Sequence, residues 1–73
     1  MTLDNLSKNK RAIIIGFNIA DKNVLKRLYD IGLRINGEII IVKKNKKGSH
    51  IISTDGRIMA LSYEIVCRIL IKE

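Results

Sequence analysis

The side chains that could act as nucleophiles, general bases or metal ligands are few in this 73-residue chain, and they are far apart in sequence. One histidine, His50, and one cysteine, Cys67, accompany seven acidic residues that are scattered singly. Catalysis or a labile Fe(II) or Zn(II) site needs several convergent donors, and Asp55 and Glu64 show no ligand spacing relative to His50 or Cys67. We therefore expect a non-enzymatic protein with no metal site and no cofactor.

Each of these two reactive residue types has a simpler structural interpretation. Val66 and Ile69 lie near Cys67 and predict a buried, inert thiol, whereas Arg68 beside it favours the alternative of a reactive thiolate. A single cysteine excludes an intramolecular disulfide, which fits a reducing cytosol. We expect His50 to be a strand residue beside a turn rather than a metal ligand.

Composition limits the classes of protein that this chain can belong to. Fourteen Lys and Arg against seven acidic residues give a net charge of +7, which attracts nucleic acid, anionic lipid or an acidic protein surface. A domain of this size needs most of its 47% apolar content for one core. No apolar run is long enough for a signal peptide or a membrane span, so we expect a cytoplasmic protein.

Five segments rich in β-branched residues and bounded by turn residues predict five strands. Their predicted bounds are residues 11–17, 38–44, 50–54, 57–61 and 68–71. Asp55-Gly56 joins the third and fourth strands and predicts a type I′ hairpin, since such a turn needs positive φ at both positions. The lysine-rich residues 43–48 are expected to form the turn between the second and third strands.

One helix is predicted between the first two strands. Its apolar residues recur as a single helical stripe at Val24, Leu25, Leu28 and Ile31. Asp21 offers a capping oxygen at the start, and Gly32 can adopt the left-handed conformation that ends a helix, so that Leu33 folds back onto the last turn. Ser62 is expected to cap a short helical turn that runs through Glu64 before the last strand.

These elements predict a fold that is mostly β. Five short, mostly antiparallel strands must bury their apolar faces on each other, and wrapping into a small barrel does this while removing exposed edges. The expected architecture is an SH3-like, partly open barrel of about five strands. It has one α-helix after the first strand and a short helical turn before the last, all in a single domain spanning residues 1–73.

Two ordered segments carry a family resemblance. Residues 28–34 read Leu-Tyr-Asp-Ile-Gly-Leu-Arg and are followed by Glu38-Ile39 and a strand that ends in Val42. This segment resembles the signature of the FeoA family, in which a helix closes on a Leu-Gly-Leu type turn before the second strand. The rest of the chain is similar to that family's closing segment at Gly48, Gly56, Ala60-Leu61, Glu64, Ile69 and Ile71.

The resemblance covers residues 3–71 with two departures. Ile35-Asn36 stands where the family usually has Pro-Gly, and Ser62-Tyr63 stands where it usually has a basic pair. Because Asn36-Gly37 still permits a turn, the first departure concerns loop geometry, and the second concerns a contact surface.

The resemblance implies a cytosolic accessory protein of ferrous iron uptake. Such a protein binds the cytosolic side of FeoB, a membrane transporter with a GTPase module, and is itself not catalytic. The resemblance extends to the C-terminal SH3-like domain of iron-dependent repressors, which implies a regulatory peptide-binding domain as one alternative. A nucleic-acid-binding barrel is the other, although the strands nearly lack the aromatic residues that stack on bases.

The predicted partner-binding residues come from the helix, the turn after it and the lysine-rich turn. One small helix cannot bury every side chain, so Tyr29, Leu33 and Ile35 are expected to form an exposed apolar patch. The lysines of the hairpin are either a solvated tip or one basic face shared with the helix, which steers the protein toward an acidic partner or the anionic inner membrane leaflet. The full set is Lys26, Arg27, Leu28, Tyr29, Leu33, Arg34, Ile35, Lys43, Lys44, Lys46 and Lys47.

Overall fold

Five strands, two α-helices and a 3₁₀ turn at Leu3–Asn5 make up the computed structural model, which describes residues 1–45 and 47–73. The elements are β1 Arg11–Phe17, α1 Lys22–Asp30, β2 Glu38–Lys43, β3 Ser49–Thr54, β4 Arg57–Ser62, α2 Tyr63–Val66 and β5 Ile69–Lys72. All strand pairs are antiparallel, in the order β4-β3-β2-β1-β5. In this part of the chain β4 does not pair with β5, so the barrel is open between them, as predicted.

Both helices begin directly after the residues that the sequence predicts as caps. The Asp21 carboxylate accepts a hydrogen bond from the backbone N–H of Asn23 at 2.9 Å, and the Ser62 hydroxyl accepts one from Ile65 at 3.3 Å. The second helix runs to Val66 and is longer than predicted. In the described ranges, neither helix has the length and apolar character needed to cross a membrane.

Strand register fixes which turns share an end of the sheet. Asp55 and Gly56 have φ of 49° and 77°, which confirms the predicted type I′ turn between β3 and β4. Ile39 at the start of β2 pairs with Thr54 at the end of β3, so this turn lies at the end where β2 begins. The turn between β2 and β3 therefore lies at the opposite end.

The core lies on one face of the sheet and is closed by the two helices and the N-terminal segment. Its buried apolar residues are Leu3, Leu6, Ala12, Ile14, Leu28, Leu33, Ile39, Ile41, Ile52, Leu61, Val66, Ile69 and Ile71. His50 is on β3 and is buried, in line with its predicted place in a strand. Cys67 is half-buried, whereas the sequence predicts full burial, because it follows the last residue of α2 at the surface.

Candidate functional site

The C-terminal end of α1 forms the first part of the candidate site. Gly32 has a φ of 108°, and its N–H donates to the Tyr29 carbonyl at 3.1 Å. The N–H of Leu33 donates to the Leu28 carbonyl at 3.0 Å. These two bonds form a Schellman motif, in which the residue after the left-handed position packs against the last turn of the helix. The predicted helix stop at Gly32 is confirmed.

The same motif corrects part of the predicted contact surface. Leu33 is 0% exposed and Leu28 is 5% exposed, so both belong to the core and neither can contact a partner. The prediction of Leu33 in an exposed patch was wrong because the motif folds it back over Leu28. Ile31, which the sequence places in the buried stripe, is instead exposed at the last position of the helical turn.

Tyr29 and Ile35 are exposed, as the sequence predicts. The Tyr29 ring packs edge-to-face on Phe17, with ring centroids 5.7 Å apart. The Arg34 guanidinium lies over the same ring, 5.8 Å from the Tyr29 centroid and within range of a cation–π contact. Arg34 Nη1 also donates to the carbonyls of Tyr29 and Leu33, so the C-terminal end of α1 holds this guanidinium in place.

Arg57 joins this surface from a distant part of the chain. It is the first residue of β4, and its side chain lies against the turn after α1. A Cβ atom at Gly32 would lie 3.3 Å from Arg57 Nη1, so the absence of a side chain there makes room for the guanidinium. The sequence pattern locates Arg57 at a strand start, yet only the register of β2 with β3 brings it to Gly32.

We name this surface the arginine end and define it by five exposed residues. They are Tyr29, Ile31, Arg34, Ile35 and Arg57. Lys26 and Arg27 are exposed on the last turns of α1 and add positive charge beside it.

The lysine-rich hairpin forms a second charged surface. Lys43 ends β2, and Lys44 and Lys47 are exposed in the turn that follows. The Lys44 ammonium donates to the backbone carbonyl of Asp4 at 3.2 Å. Lys46, also a predicted contact residue, lies outside the described residues.

The N-terminal segment enlarges this surface in a way that the sequence does not predict. The backbone N–H of Asn9 donates to the Ile41 carbonyl at 2.8 Å, which places Lys8 and Lys10 beside the end of β2. We name the exposed set Lys8, Lys10, Lys43, Lys44 and Lys47 the lysine end.

The arginine end and the lysine end lie at opposite ends of β2. The N–H of Gly37, just before this strand, donates to the Arg34 carbonyl at 3.0 Å, whereas Lys43 is its last residue. A six-residue strand is about 17 Å long at roughly 3.3 Å per residue. The hairpin lysines and Arg34 therefore lie at opposite ends of an extended strand, and the single basic face predicted for them with Lys26 and Arg27 would have to span its length.

A second concave region lies between α2 and the loop before α1. Two adjoining pockets of about 420 and 480 Å³ share Glu64 and Arg68 as lining residues. Cys67 lies in one of them, and a hydrogen bond with its side chain raises the pKa of the Tyr63 hydroxyl above the ordinary value. Among residues 1–45 and 47–73, no three His, Cys, Asp or Glu side chains converge on a common metal position.

Comparisons with known proteins agree with this architecture. The family model described as FeoA domain matches residues 1–73. No curated protein matches the sequence. Among solved structures, an iron uptake regulatory protein (FeoA) is 19% identical with a TM-score of 0.85, covering 99% of this chain and 93% of that one. The FeoA protein from Chlorobium tepidum is 21% identical with a TM-score of 0.85, covering 97% and 68%.

A repressor provides the third comparison. A manganese-dependent transcriptional repressor in complex with manganese is 15% identical with a TM-score of 0.90, and the match covers 99% of this chain and 35% of the repressor. At these identities the structural matches show the fold alone. They confirm the predicted SH3-like, partly open barrel.

Proposed function

Because this chain belongs to the FeoA domain family, which is linked to ferrous iron transport, we propose that it is a non-enzymatic binding module for the cytosolic side of a FeoB-type transporter. The observation that carries the proposal is the arginine end, where exposed apolar side chains lie beside two guanidinium groups, of which that of Arg34 is held by two backbone carbonyls. Tyrosine and arginine are enriched among the few residues that dominate the binding energy of protein interfaces. Here Tyr29 and Arg34 contact each other and need little further ordering on binding.

The apolar part of the arginine end supports docking rather than simple solvation. Three apolar side chains are exposed within residues 29–35. The exposed fraction is 37% for Tyr29, 40% for Ile31 and 48% for Ile35. Grouped apolar side chains rimmed by charge are typical of protein-binding surfaces. In the proposed complex, these side chains form the dry centre, and Lys26 and Arg27 lie at the rim.

The lysine end has a different role in this proposal. Its lysines are exposed and its charge is of one sign, so it attracts an acidic surface over a distance without fixing a geometry. Near a membrane transporter, the anionic inner leaflet would attract the same lysines. We propose that it raises the rate of encounter and that the arginine end holds the complex together.

Binding to the cytosolic region of the host's ferrous iron transporter tests the proposal. We would measure the affinity by calorimetry at low and physiological salt, with an unrelated RNA as the control ligand. Saturable binding that survives physiological salt is expected. Binding to RNA alone that fades with salt would instead identify a nucleic-acid-binding barrel.

A matched pair of variants locates the contact. Ile35→Asp introduces a charge at the arginine end, and Ile15→Asp introduces the same charge on β1 at nearly equal exposure, 49% against 48%. We expect Ile35→Asp to weaken binding at least about tenfold, as loss of a central contact does, and Ile15→Asp to change it less than about twofold. Equal effects of the two variants would exclude the arginine end as the docking surface.

The likeness to the repressor supports a second candidate, a peptide-binding regulatory domain. In that case arginine-end variants would alter metal-dependent gene expression in cells while leaving affinity for the transporter region unchanged. Measuring both quantities on Ile35→Asp separates the two candidates.

A further inference from the structure

A small pocket opens at the arginine end where β4 meets the turn after α1. Its volume is about 250 Å³, and Gly32, Arg34, Asp55 and Arg57 line it. Two arginines from distant parts of the sequence thus face one space. The positive φ of Gly32 and the 3.3 Å distance from its would-be Cβ to Arg57 Nη1 show that this turn leaves room for the Arg57 side chain.

The two guanidinium groups retain donors for a ligand. Arg34 uses Nη1 for the carbonyls of Tyr29 and Leu33, which leaves the N–H groups of Nε and Nη2. Arg57 makes no hydrogen bond or ion pair with the described residues, so all five of its N–H donors remain. A guanidinium matches the two oxygens of a carboxylate in a forked pair of hydrogen bonds.

The charge of the lining restricts the ligand. Asp55 is the only acidic residue that lines the pocket, and within the described residues it is not ion-paired to either arginine. Two cations and one anion leave a single positive charge, which suits a monoanionic carboxylate. A carboxylate would bring the net charge of the pocket to zero, whereas a phosphate dianion would leave an excess negative charge there beside Asp55.

We propose that this pocket receives an acidic side chain from the protein that docks on the arginine end. The flanking Tyr29 and Ile35 would pack on apolar neighbours of that acidic residue. A second copy of this chain is a poor occupant, because each copy carries a net charge of +7 and two copies repel each other. The inference rests on the proposed function for the identity of the docking protein, and the carboxylate chemistry is independent of that identity.

Three variants test the pocket in the transporter-binding assay. Arg57→Gln removes the charge and the fork, Arg57→Lys keeps only the charge, and Arg11→Gln removes an equal charge from β1. We expect a loss of affinity of about tenfold for Arg57→Gln, a smaller loss for Arg57→Lys and less than twofold for Arg11→Gln. Unfolding midpoints measured in parallel confirm that each variant is folded.

A second measurement does not depend on the transporter. Two synthetic peptides, acetyl-Leu-Glu-Leu-Glu-Leu-amide and its glutamine counterpart, are titrated into ¹⁵N-labelled protein while the Gly32 amide and Arg57 side-chain signals are followed. We expect the glutamate peptide to shift both signals and to bind about tenfold more tightly than the glutamine peptide. Inorganic phosphate is titrated separately, and weaker binding than that of the glutamate peptide is expected.

The outcomes separate the two proposals. A glutamate peptide that binds at Gly32 and Arg57, with no binding to the transporter, would remove the proposed partner and support the pocket. Transporter binding that is unchanged by Arg57→Gln would overturn the pocket and leave the proposed function standing. Equal binding of the two peptides, stronger binding of phosphate, or no shift at Gly32 and Arg57 would also overturn the pocket.

Discussion

The arginine end and the lysine end carry the same sign of charge and differ in how their side chains are held. Arg34 donates to two backbone carbonyls and contacts Tyr29, next to a turn that is anchored by the fully buried Leu33. At the lysine end, one lysine donates to a backbone carbonyl, and its charged side chains are otherwise exposed to solvent. A side chain that is already ordered loses little entropy when it binds, so equal charge does not make equal binding sites.

The largest expected effect comes from the anchor of the arginine end. Leu33→Ala removes a fully buried side chain and should lower the free energy of unfolding by about 2–5 kcal/mol. Val42→Ala, beside the lysine end and 38% exposed, should lower it by less than about 1 kcal/mol. Urea denaturation followed by circular dichroism gives both values, and similar losses would show that the two ends are equally anchored.

Gly32→Ala is expected to have the next largest effect. The φ of 108° disfavours any side chain, and the new Cβ would press on Arg57, so we expect a loss of about 1–2 kcal/mol of stability. The affinity for the docking protein should fall as well, because Arg57 must move. Gly16→Ala is the control: its Cβ would meet Leu70 Cδ1 at an ordinary 3.6 Å and lies away from Arg57.

Charge reversal at the lysine end should act on the rate of association. Replacing Lys43, Lys44 and Lys47 with Glu should slow association several-fold at low salt and have little effect at high salt, because exposed charges are screened. The dissociation rate should stay nearly constant, whereas Arg57→Gln should mainly raise it. Surface plasmon resonance at several salt concentrations separates the two rates. A large rise in dissociation for the lysine variant would mean that both ends make fixed contacts.

The smallest expected effect is on the loss of stability at alkaline pH, to which Tyr63 contributes. The Tyr63 ring lies near the lysine end and packs on His50, with ring centroids 5.6 Å apart. The hydrogen bond with Cys67 raises the pKa of Tyr63 above 10.0, so the folded chain keeps this proton at a pH where the unfolded chain loses it. The contribution of Tyr63 to stability is therefore fully present below pH 10 and is lost as the pH rises through the pKa of the folded chain. Tyr63→Phe should make this fall shallower in urea denaturation between pH 9 and pH 11, and an unchanged fall would contradict the shift.

Local sequence patterns were enough to predict the turns and helix ends that depend on only a few neighbouring residues. Asp55-Gly56 gives a type I′ turn because both of its residues tolerate positive φ, and Gly32 ends α1 for the same reason. Asn36 has a φ of 72°, so this chain turns without the Pro-Gly pair that is usual in the family. These predictions need no knowledge of distant residues.

The candidate site was only partly predictable. Tyr29, Arg34 and Ile35 are exposed as predicted, because the end of a short helix cannot bury all sides. Leu33 was expected both to fold back onto the last turn of α1 and to join an exposed patch. It does the first and is buried, since hydrophobicity does not say whether a side chain faces the core or a partner. Arg57 and Lys8 were missed because no local pattern links them to α1 or to the hairpin.

The sequence by itself determined the open barrel, the caps and turns of its helices and the excess of positive charge. These features depend on side-chain periodicity, on residues that tolerate positive φ and on composition, all of which are local properties. Only the tertiary structure decided how that charge is divided between the arginine end and the lysine end. The antiparallel register of β2 and β3 brings Arg57 to Gly32, and the length of β2 places the lysines at the opposite end of the sheet.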